Sequence, residues 1–429
     1  MSTPHSTVSI HFVVVEFIEL DSDTRNSGTW AGGIRSGRKT VVSELVDLIS
    51  EEENVYEVLL NGVGSDGSIS TKMKGGKSHV SIICQLSTKR FSNHASLSSC
   101  FYRTGDRIIL IGYSRGAWAA RYLAKLIDIV GLPEKPDERF YKKVYKACKK
   151  GSLYVTSTIH IFHGLGYNVS IDALCCFDTV GSLGWPVTGL AKPLKFLCKL
   201  GKQQNTNDLV SEVANNVRFP FHALSLHETR APYMPTLMLG HDVHQVYFPG
   251  NHSDLGWIDE VEGLVLAPLA WMIGRLNTHL GVRFDENKLS NRFPNYSQPR
   301  PNPPRWAEAS IRHTRTFLHA VMGRKCRNPG HQKVNRPVVA SNVWIHCGAR
   351  LRNNMPEEAV PGYRLMAPLD GQRPYWERRN NSADTNSANI QENRAMRVEE
   401  AELGELEAKL LGLPDRAINK IRAASNLPN

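Results

Sequence analysis

The segment that most limits the possible folds is an apolar strand pattern that runs without a gap into a glycine-flanked serine and then an alanine-rich helical pattern. It reads DRIILIGYSRGAWAAR from Asp106 to Arg121, with Gly112, Ser114 and Gly116 in its central turn. A G-x-S-x-G turn between a strand and a helix is typical of a nucleophile elbow, where a strained turn presents the serine hydroxyl. Glycines on either side let the helix and the strand pack closely. We therefore expect Ser114 to be a nucleophile; the alternative is a serine that caps the helix.

Strand and helix patterns alternate on both sides of this segment. Strand-like apolar runs occur at residues 8–17, 56–60, 107–111, 171–177 and 243–248, and helical spacing occurs at 41–48, 117–130 and 264–280. This alternation predicts an α/β fold, a mainly parallel sheet flanked by helices.

The alternation of strand and helix patterns ends at the proline-rich stretch PRPNPPRW, residues 299–306. Proline clusters break regular structure, so we expect an α/β catalytic domain over residues 1–298. A helical and irregular C-terminal extension over 299–379 would pack on it. Residues 380–429 are predicted to be a polar linker followed by a short charged helix at 398–411.

A serine nucleophile in this kind of fold needs a carboxylate and then a histidine later in the chain. Asp178 follows the apolar run 171–177 and precedes a glycine turn, and His252 follows the run 243–248 and a Pro-Gly turn. Histidine suits proton transfer near neutral pH. We therefore predict that His252 is the general base, that Asp178 orients it, and that the backbone N–H of Arg115 helps to bind an oxyanion. The alternative is that Asp178 and His252 are ordinary turn residues.

The charge of the chain favours an acidic partner. The net charge is +11, and one basic stretch, residues 187–202, has the spacing of an amphipathic helix. Its leucines would lie on one face and its lysines on another; these lysines are Lys192, Lys195, Lys199 and Lys202. Such a helix can lie on an anionic membrane, although a solvated surface helix is the alternative. A second basic cluster occupies residues 141–150, where phosphate binding is the alternative to a solvated face.

The sequence shows no pattern typical of a disulfide-rich, zinc-ribbon, secreted or membrane-spanning protein. The 8 cysteines have no regular spacing, which argues against a disulfide scaffold or a zinc ribbon. The N-terminus lacks the pattern of a signal peptide and no run reaches the length of a membrane span, so we expect a cytoplasmic protein with peripheral membrane contact.

The remaining motifs lack the flanking structure that cofactor, nucleic-acid or metal binding would require. The G-x-G-x-x-G at residues 62–67 does not open a helix, so we expect no dinucleotide and no other cofactor. No nucleic-acid-binding fingerprint occurs. We expect no metal site, although His241, Asp242, His244, His252 and Asp254 are a conceivable ligand set. The first three of these precede or begin a predicted strand and the last two follow it, which separates the two groups.

Several of these segments, in their order along the chain, resemble the DUF2235 family. The matching stretches are GYSRGA at 112–117, FDTVG at 177–181, HALSLHETR at 222–230 and VYFPGNHSDLG at 246–256. That family includes the catalytic domain of one class of type VI secretion phospholipase effectors. The resemblance implies an α/β-hydrolase fold, a triad of Ser114, Asp178 and His252, and hydrolysis of phospholipid-like esters.

One motif departs from the family pattern. Where the family has Asp-Gly-Thr-Trp, this chain has Ser27-Gly-Thr-Trp, and the backbone N–H groups of Gly28 and Thr29 would supply the second oxyanion donor. Two hypotheses follow. The first is a serine hydrolase that cleaves a lipid acyl ester; the second is a weak or inactive relative that acts as a basic membrane- or protein-binding module.

Overall fold

The structure of the protein is a computed structural model. It describes residues 10–16, 39–51, 55–61, 105–133, 166–167, 169–181, 210–240, 242–258, 263–296, 305–312, 324–329, 343–352, 360–366, 373–379 and 397–413.

Strands and helices alternate through these ranges. The strands are β1 (Ile10–Glu16), β2 (Lys39–Thr40), β3 (Val55–Asn61), β4 (Arg107–Tyr113), β5 (Leu132–Pro133), β6 (Gly166–Tyr167), β7 (Ile171–Phe177), β8 (Val217–Ser225), β9 (His244–Phe248), β10 (Trp257–Ile258), β11 (Val343–Ile345), β12 (Tyr363–Met366), β13 (Tyr375–Arg378) and β14 (Arg397–Glu399). The helices are α1 (Val41–Asp47), α2 (Arg115–Val130), α3 (His252–Gly256), α4 (Leu266–Leu280), α5 (Glu286–Arg292), α6 (Arg305–Glu308), α7 (Gly348–Leu351) and α8 (Glu405–Leu410).

The chain divides into two compact units. The first contains Met1–Trp185, Leu194–Phe221 and Pro235–Asp242; the second contains Pro186–Pro193, His222–Met234 and Val243–Asn429. The domain borders at residues 298 and 379 remain predictions from the sequence. In the second unit β11, which lies well beyond residue 298, pairs in parallel with β9.

The first unit is built on a mainly parallel sheet with strand order β8-β7-β4-β1-β3, to which β8 contributes its first half. Strand β1 pairs in parallel with β3 and with β4, and β4 pairs in parallel with β7. Strands β4 and β7 are almost continuously apolar and buried, as expected for parallel strands covered on both faces. Helix α2 packs on β4, β7 and β1, and α1 packs on β1 and β4. The sheet and its helices confirm the predicted α/β-hydrolase-like fold.

The second unit combines the β9–β11 pair with a three-stranded antiparallel sheet and several helices. The order of that small sheet is β12-β13-β14. Helix α4 is buried along most of its length, ends at Gly281 in the left-handed conformation, and packs against α8. None of the helices within the described ranges has the length and apolar character that crossing a bilayer requires.

The structure differs from the sequence-based expectation in the C-terminal region, where the predicted helix at 398–411 is wrong in its first half. Residues 397–399 form strand β14 instead, with Val398 buried, and α8 begins at Glu405. The alternation of exposed and buried residues in Arg397–Glu399 is a strand pattern. The polar linker predicted at 380–396 lies outside the described residues.

Candidate active site

Ser114 occupies a one-residue turn between the end of β4 at Tyr113 and the start of α2 at Arg115. Its backbone angles are φ 59° and ψ −124°, a region that costs a non-glycine residue about 1 to 3 kcal/mol. The side chain is 1% exposed, and its hydroxyl caps none of the N–H groups of the described helix. The capping alternative is therefore wrong for Ser114. A strained turn that serves no capping purpose is what a nucleophile elbow requires.

Close packing explains the first glycine of the elbow, Gly112. A Cβ atom on Gly112 would lie 2.5 Å from the carbonyl carbon of Gly116 and 2.6 Å from the amide nitrogen of Ala117. Both of these are backbone atoms in the first turn of α2, so no side chain can rotate away. The sequence therefore needs a glycine at position 112 for the helix to start this close to the strand.

The loop that carries Asp178 lies beside this elbow, in the same unit. Tyr113 and Phe177 are partners at the carboxyl ends of the adjacent strands β4 and β7. The Ser114 N–H donates to the carbonyl oxygen of Phe177 at 2.9 Å, and the Val180 N–H donates to the carbonyl oxygen of Ser114 at 3.4 Å. Asp178, between these two contacts, is fully buried and has a positive φ of 46°. Two strained residues at neighbouring strand ends are therefore held in one backbone network.

A buried arginine, Arg121, stabilises the chain next to the loop that carries Asp178. Arg121, on α2, donates to the carbonyl oxygens of Val210, Ser211, Thr236 and Leu237. In turn, the Thr236 N–H donates to the carbonyl oxygen of Thr179 at 2.9 Å. Burial lowers the pKa of Arg121 to about 10, so the guanidinium remains charged at neutral pH and ties α2 to the chain next to Asp178.

The cysteines at this sheet edge are not competing nucleophiles. Cys175 and Cys176 are fully buried in β7. Burial raises the pKa of Cys176 to about 12 and that of Cys175 well above its usual range, although Arg121 opposes the effect at Cys176. Because the thiolate is the reactive form, both thiols are inert at neutral pH.

His252 is the first residue of helix α3 in the second unit, and its side chain is fully buried. Asn251 caps the helix by accepting from the N–H groups of Ser253 and Asp254, and Asp254 accepts from the Asn251 N–H at 2.8 Å. This reciprocal capping box fixes the start of the short helix. Gly250 precedes it with φ 111°, and a Cβ atom there would meet the Cβ of Asp254 at 2.8 Å. The turn that carries His252 is thus rigidly built.

Asp254 combines its capping role with an unusual ionisation. Burial raises its pKa to about 6, although bonds from the Asn251 N–H and the nearby Arg312 oppose the shift. The Arg312 guanidinium Nε lies 3.5 Å from the carboxylate. The backbone carbonyl of Arg312 also accepts from the Asn251 side chain at 2.6 Å. The cap of the histidine turn is therefore connected to residue 312.

Two residues that contact His252, and a third that contacts both of them, had no role assigned from the sequence. The His252 N–H donates to Glu228 at 3.2 Å, and the ring of Tyr233 meets the imidazole edge-on with centroids 5.0 Å apart. Arg230 forms a two-point ion pair with Glu228. Glu228 and Arg230 are two residues apart in the chain, just beyond the end of β8. That opposite-charge spacing was the signal that could have marked the pair.

The structure thus describes some of the predicted residues and not others. Ser114, Arg115, Gly112, Gly116 and Asp178 lie in the first unit, where the elbow and the Asp178 loop come together, and His252 lies in the second. The oxyanion-loop residues Gly28 and Thr29 lie outside the described residues. So do the basic face of Lys192, Lys195, Lys199 and Lys202 and the cluster at 141–150. In the described part of the chain no three His, Cys, Asp or Glu residues are grouped as a metal would need.

Comparison with known proteins adds a family match. The model of the type VI secretion (T6SS) phospholipase effector Tle1-like catalytic domain matches residues 26–275, which is more than half of the chain. A protein of Saccharomyces cerevisiae, the uncharacterized protein YEL023C, is 28% identical over 214 residues. That match covers 44% of this chain and 29% of the yeast protein, so the chain spans less than a third of its relative.

Two solved structures are similar at low identity. One is the crystal structure of an uncharacterized protein from Pseudomonas aeruginosa, with a TM-score of 0.38, 15% identity, and coverage of 65% of this chain and 46% of that one. The other is the Tle1 effector bound to the VgrG spike of the type 6 secretion system. Its TM-score is 0.29 at 13% identity, with coverage of 59% of this chain and 52% of that one.

Proposed function

The chain belongs to the family of type VI secretion Tle1-like phospholipase catalytic domains, and we propose that it is a serine hydrolase that cleaves a carboxylic ester of a lipid. The family supports hydrolysis of lipid esters in general. The serine mechanism is our proposal, and the observation that carries it is the strained, non-capping backbone of Ser114 between β4 and α2.

In the proposed mechanism the Ser114 hydroxyl attacks the ester carbonyl carbon while His252 takes its proton. The tetrahedral intermediate collapses, its bond to the alcohol breaks, and His252 returns the proton to the leaving alkoxide. Water, activated by the same histidine, then releases the fatty acid from the acyl-serine. Asp178 would hold the histidine tautomer. The order Ser, Asp, His along the chain supports these roles, as do the positions of Ser114 and Asp178 directly after β4 and β7 and of His252 in the turn that follows β9.

The intermediate carries a negative oxygen that backbone donors can bind. The N–H of Arg115, the first residue of α2, is proposed as one donor, because a helix N-terminus favours negative charge. The second would be the Gly28 or Thr29 N–H in the loop that carries Ser27 instead of an aspartate. Removal of one such donor typically costs about 100- to 1000-fold in turnover.

We also propose that the substrate is reached at an anionic membrane surface. The net charge of +11 and the lysines at 192, 195, 199 and 202 support peripheral membrane contact. Replacing these four lysines by glutamate should weaken co-sedimentation with vesicles of phosphatidylglycerol. Unchanged sedimentation would contradict the membrane proposal without affecting the catalytic one.

The catalytic proposal is tested by measuring fatty-acid release from phosphatidylcholine and phosphatidylglycerol vesicles by mass spectrometry. The full chain should release fatty acid, and Ser114→Ala and His252→Gln should each lose at least about 1000-fold in rate. Asp178→Asn should lose a similar factor, since it leaves the tautomer unfixed. Equal rates in the wild type and in Ser114→Ala would contradict the proposal. Vesicle binding without any turnover would favour the second hypothesis, a binding module. The sequence feature that suggested this hypothesis is Ser27, which replaces the aspartate of the family motif.

A further inference from the structure

A buried ion pair lies where the chain leaves strand β8. Arg230 Nε donates to Glu228 Oε1 at 2.9 Å and Arg230 Nη2 donates to Oε2 at 2.8 Å, while the Arg230 backbone N–H donates to the same carboxylate at 2.8 Å. The side chain of Glu228 is 1% exposed. Burial opposes the charged form of Glu228, but Arg230 and the nearby Arg327 outweigh it, and the pKa of this carboxyl is lowered. The pair is therefore fully ionised at neutral pH.

Each member of the pair reaches His252 by a different route. Glu228 accepts the backbone N–H of His252 at 3.2 Å. Arg230 lies over the ring of Tyr233, 3.7 Å from its centroid, and the same ring meets the His252 imidazole edge-on at 5.0 Å. The backbone and the ring of the histidine are thus contacted by one charged cluster.

The cluster is itself anchored on two sides. The N–H of His227 donates to the carbonyl oxygen of Gly250, and the Gly250 N–H donates back to the His227 ring, both at 2.9 Å. On the other side, the buried Arg327 donates to the carbonyl oxygens of Ser225 and Tyr233. The segment from 225 to 233 therefore has little freedom relative to the turn that carries His252.

We propose that Glu228, Arg230 and Tyr233 act as positioning residues for His252, holding its backbone and its ring in the orientation that proton transfer needs. This inference rests on the proposed function for its catalytic consequence. Its structural content, a histidine whose backbone N–H is bound by Glu228 and whose ring is contacted by Tyr233, stands independently.

The pair has an electrostatic signature that a purely structural role would lack. Glu228→Gln leaves Arg230 and Arg327 as uncompensated positive charges, which disfavours the imidazolium and lowers the pKa of His252. Arg230→Met removes a positive charge and acts in the opposite direction. The remaining charged groups of the turn, Asp254 and Arg312, are the same in both variants.

The experiment measures both turnover and the titration of His252. Glu228→Gln and Arg230→Met should each reduce kcat by about 10- to 100-fold with KM nearly unchanged, because misplacement of a catalytic group by a fraction of an ångström acts on the chemical step. The acid limb of the kcat/KM profile should move down by about half a pH unit in Glu228→Gln and up in Arg230→Met. Tyr233→Phe, which keeps the ring, should remain close to the wild type, whereas Tyr233→Leu should resemble the ion-pair variants.

The matched control is Glu400→Gln. It breaks another two-point ion pair of the second unit, in which Arg350 donates to Glu400 twice at 2.9 Å. It should lose comparable thermal stability but keep its kcat. If Glu228→Gln behaves like Glu400→Gln, losing stability but keeping kcat and its pH profile, the positioning role is refuted.

A second readout does not depend on turnover. Histidine labelled with 13C at Cε1 can be titrated by NMR, with the His252 signal assigned from its absence in His252→Gln. The His252 pKa should fall in Glu228→Gln and rise in Arg230→Met. Equal values in both variants and the wild type would overturn the inference. If the Ser114→Ala variant instead keeps the wild-type rate of turnover, the proposed function is overturned. The NMR titration then decides the positioning role by itself.

Discussion

Replacing Gly112 by alanine should disable the elbow without removing any of the proposed catalytic side chains. The new Cβ atom would lie 2.5 Å from the carbonyl carbon of Gly116, where ordinary contacts begin near 3.4 Å. The start of α2 must therefore move by about 0.9 Å, and such overpacking costs about 1 to 3 kcal/mol of unfolding free energy. A shift of this size at the nucleophile is expected to reduce kcat/KM by about 100-fold.

The assay pairs this variant with a second glycine-to-alanine change. A Cβ atom on Gly274, in the middle of α4, would meet its nearest neighbour, the Cβ of Glu407, at 3.4 Å. Because alanine is the better helix former, Gly274→Ala should gain up to about 1 kcal/mol and keep its activity. Both variants are compared by urea unfolding and by kcat/KM on an acyl ester. Wild-type activity in Gly112→Ala would show that close packing does not set the position of Ser114.

Three further variants test other parts of the structure. Arg121→Met leaves carbonyl acceptors buried without their donor and should cost at least about 3 kcal/mol in urea unfolding; a loss below about 1 kcal/mol would contradict the supporting role. Glu407→Ala removes the buried partner of His346, at 3.1 Å, and should lower the unfolding free energy by about 3 kcal/mol; an unchanged melting temperature would count against α8 as part of the core. Asp254 holds its proton more tightly in the folded state, with a pKa of about 6, so its contribution to stability is present below pH 4 and lost as the pH rises through 6. The unfolding free energy of the wild type minus that of Asp254→Asn should therefore fall by about 2 kcal/mol between pH 4 and pH 7, and a difference that is independent of pH would disprove it.

The central fold could be predicted because its signals are local. Strand β7 occupies the predicted run 171–177, and β4 and α2 begin within two residues of the expected positions. A continuous apolar run that ends at a glycine-flanked serine specifies strand, turn and helix together. The backbone strain at Ser114 follows from the same pattern.

The C-terminal region could not be predicted, because its order depends on contacts between distant residues. Strand β14 is held by pairing with β13 and by the ion pair between Arg350 and Glu400. The end of α8 is fixed by Trp306, whose indole N–H donates to the carbonyl oxygen of Leu411 at 3.0 Å. A composition of mixed charged and apolar residues gives no sign of such partners. Glu228 could not be identified from the sequence for the same reason. Its role depends on the backbone N–H of His252, a residue distant from it in the chain.

The most direct test of the proposed nucleophile is the site of covalent labelling by a fluorophosphonate, mapped by peptide mass spectrometry on the full chain. We predict one adduct, on the hydroxyl of Ser114; it should be absent in Ser114→Ala and should form much more slowly in His252→Gln. A protein that stays unlabelled, or one labelled at another residue with equal efficiency in Ser114→Ala, would contradict it.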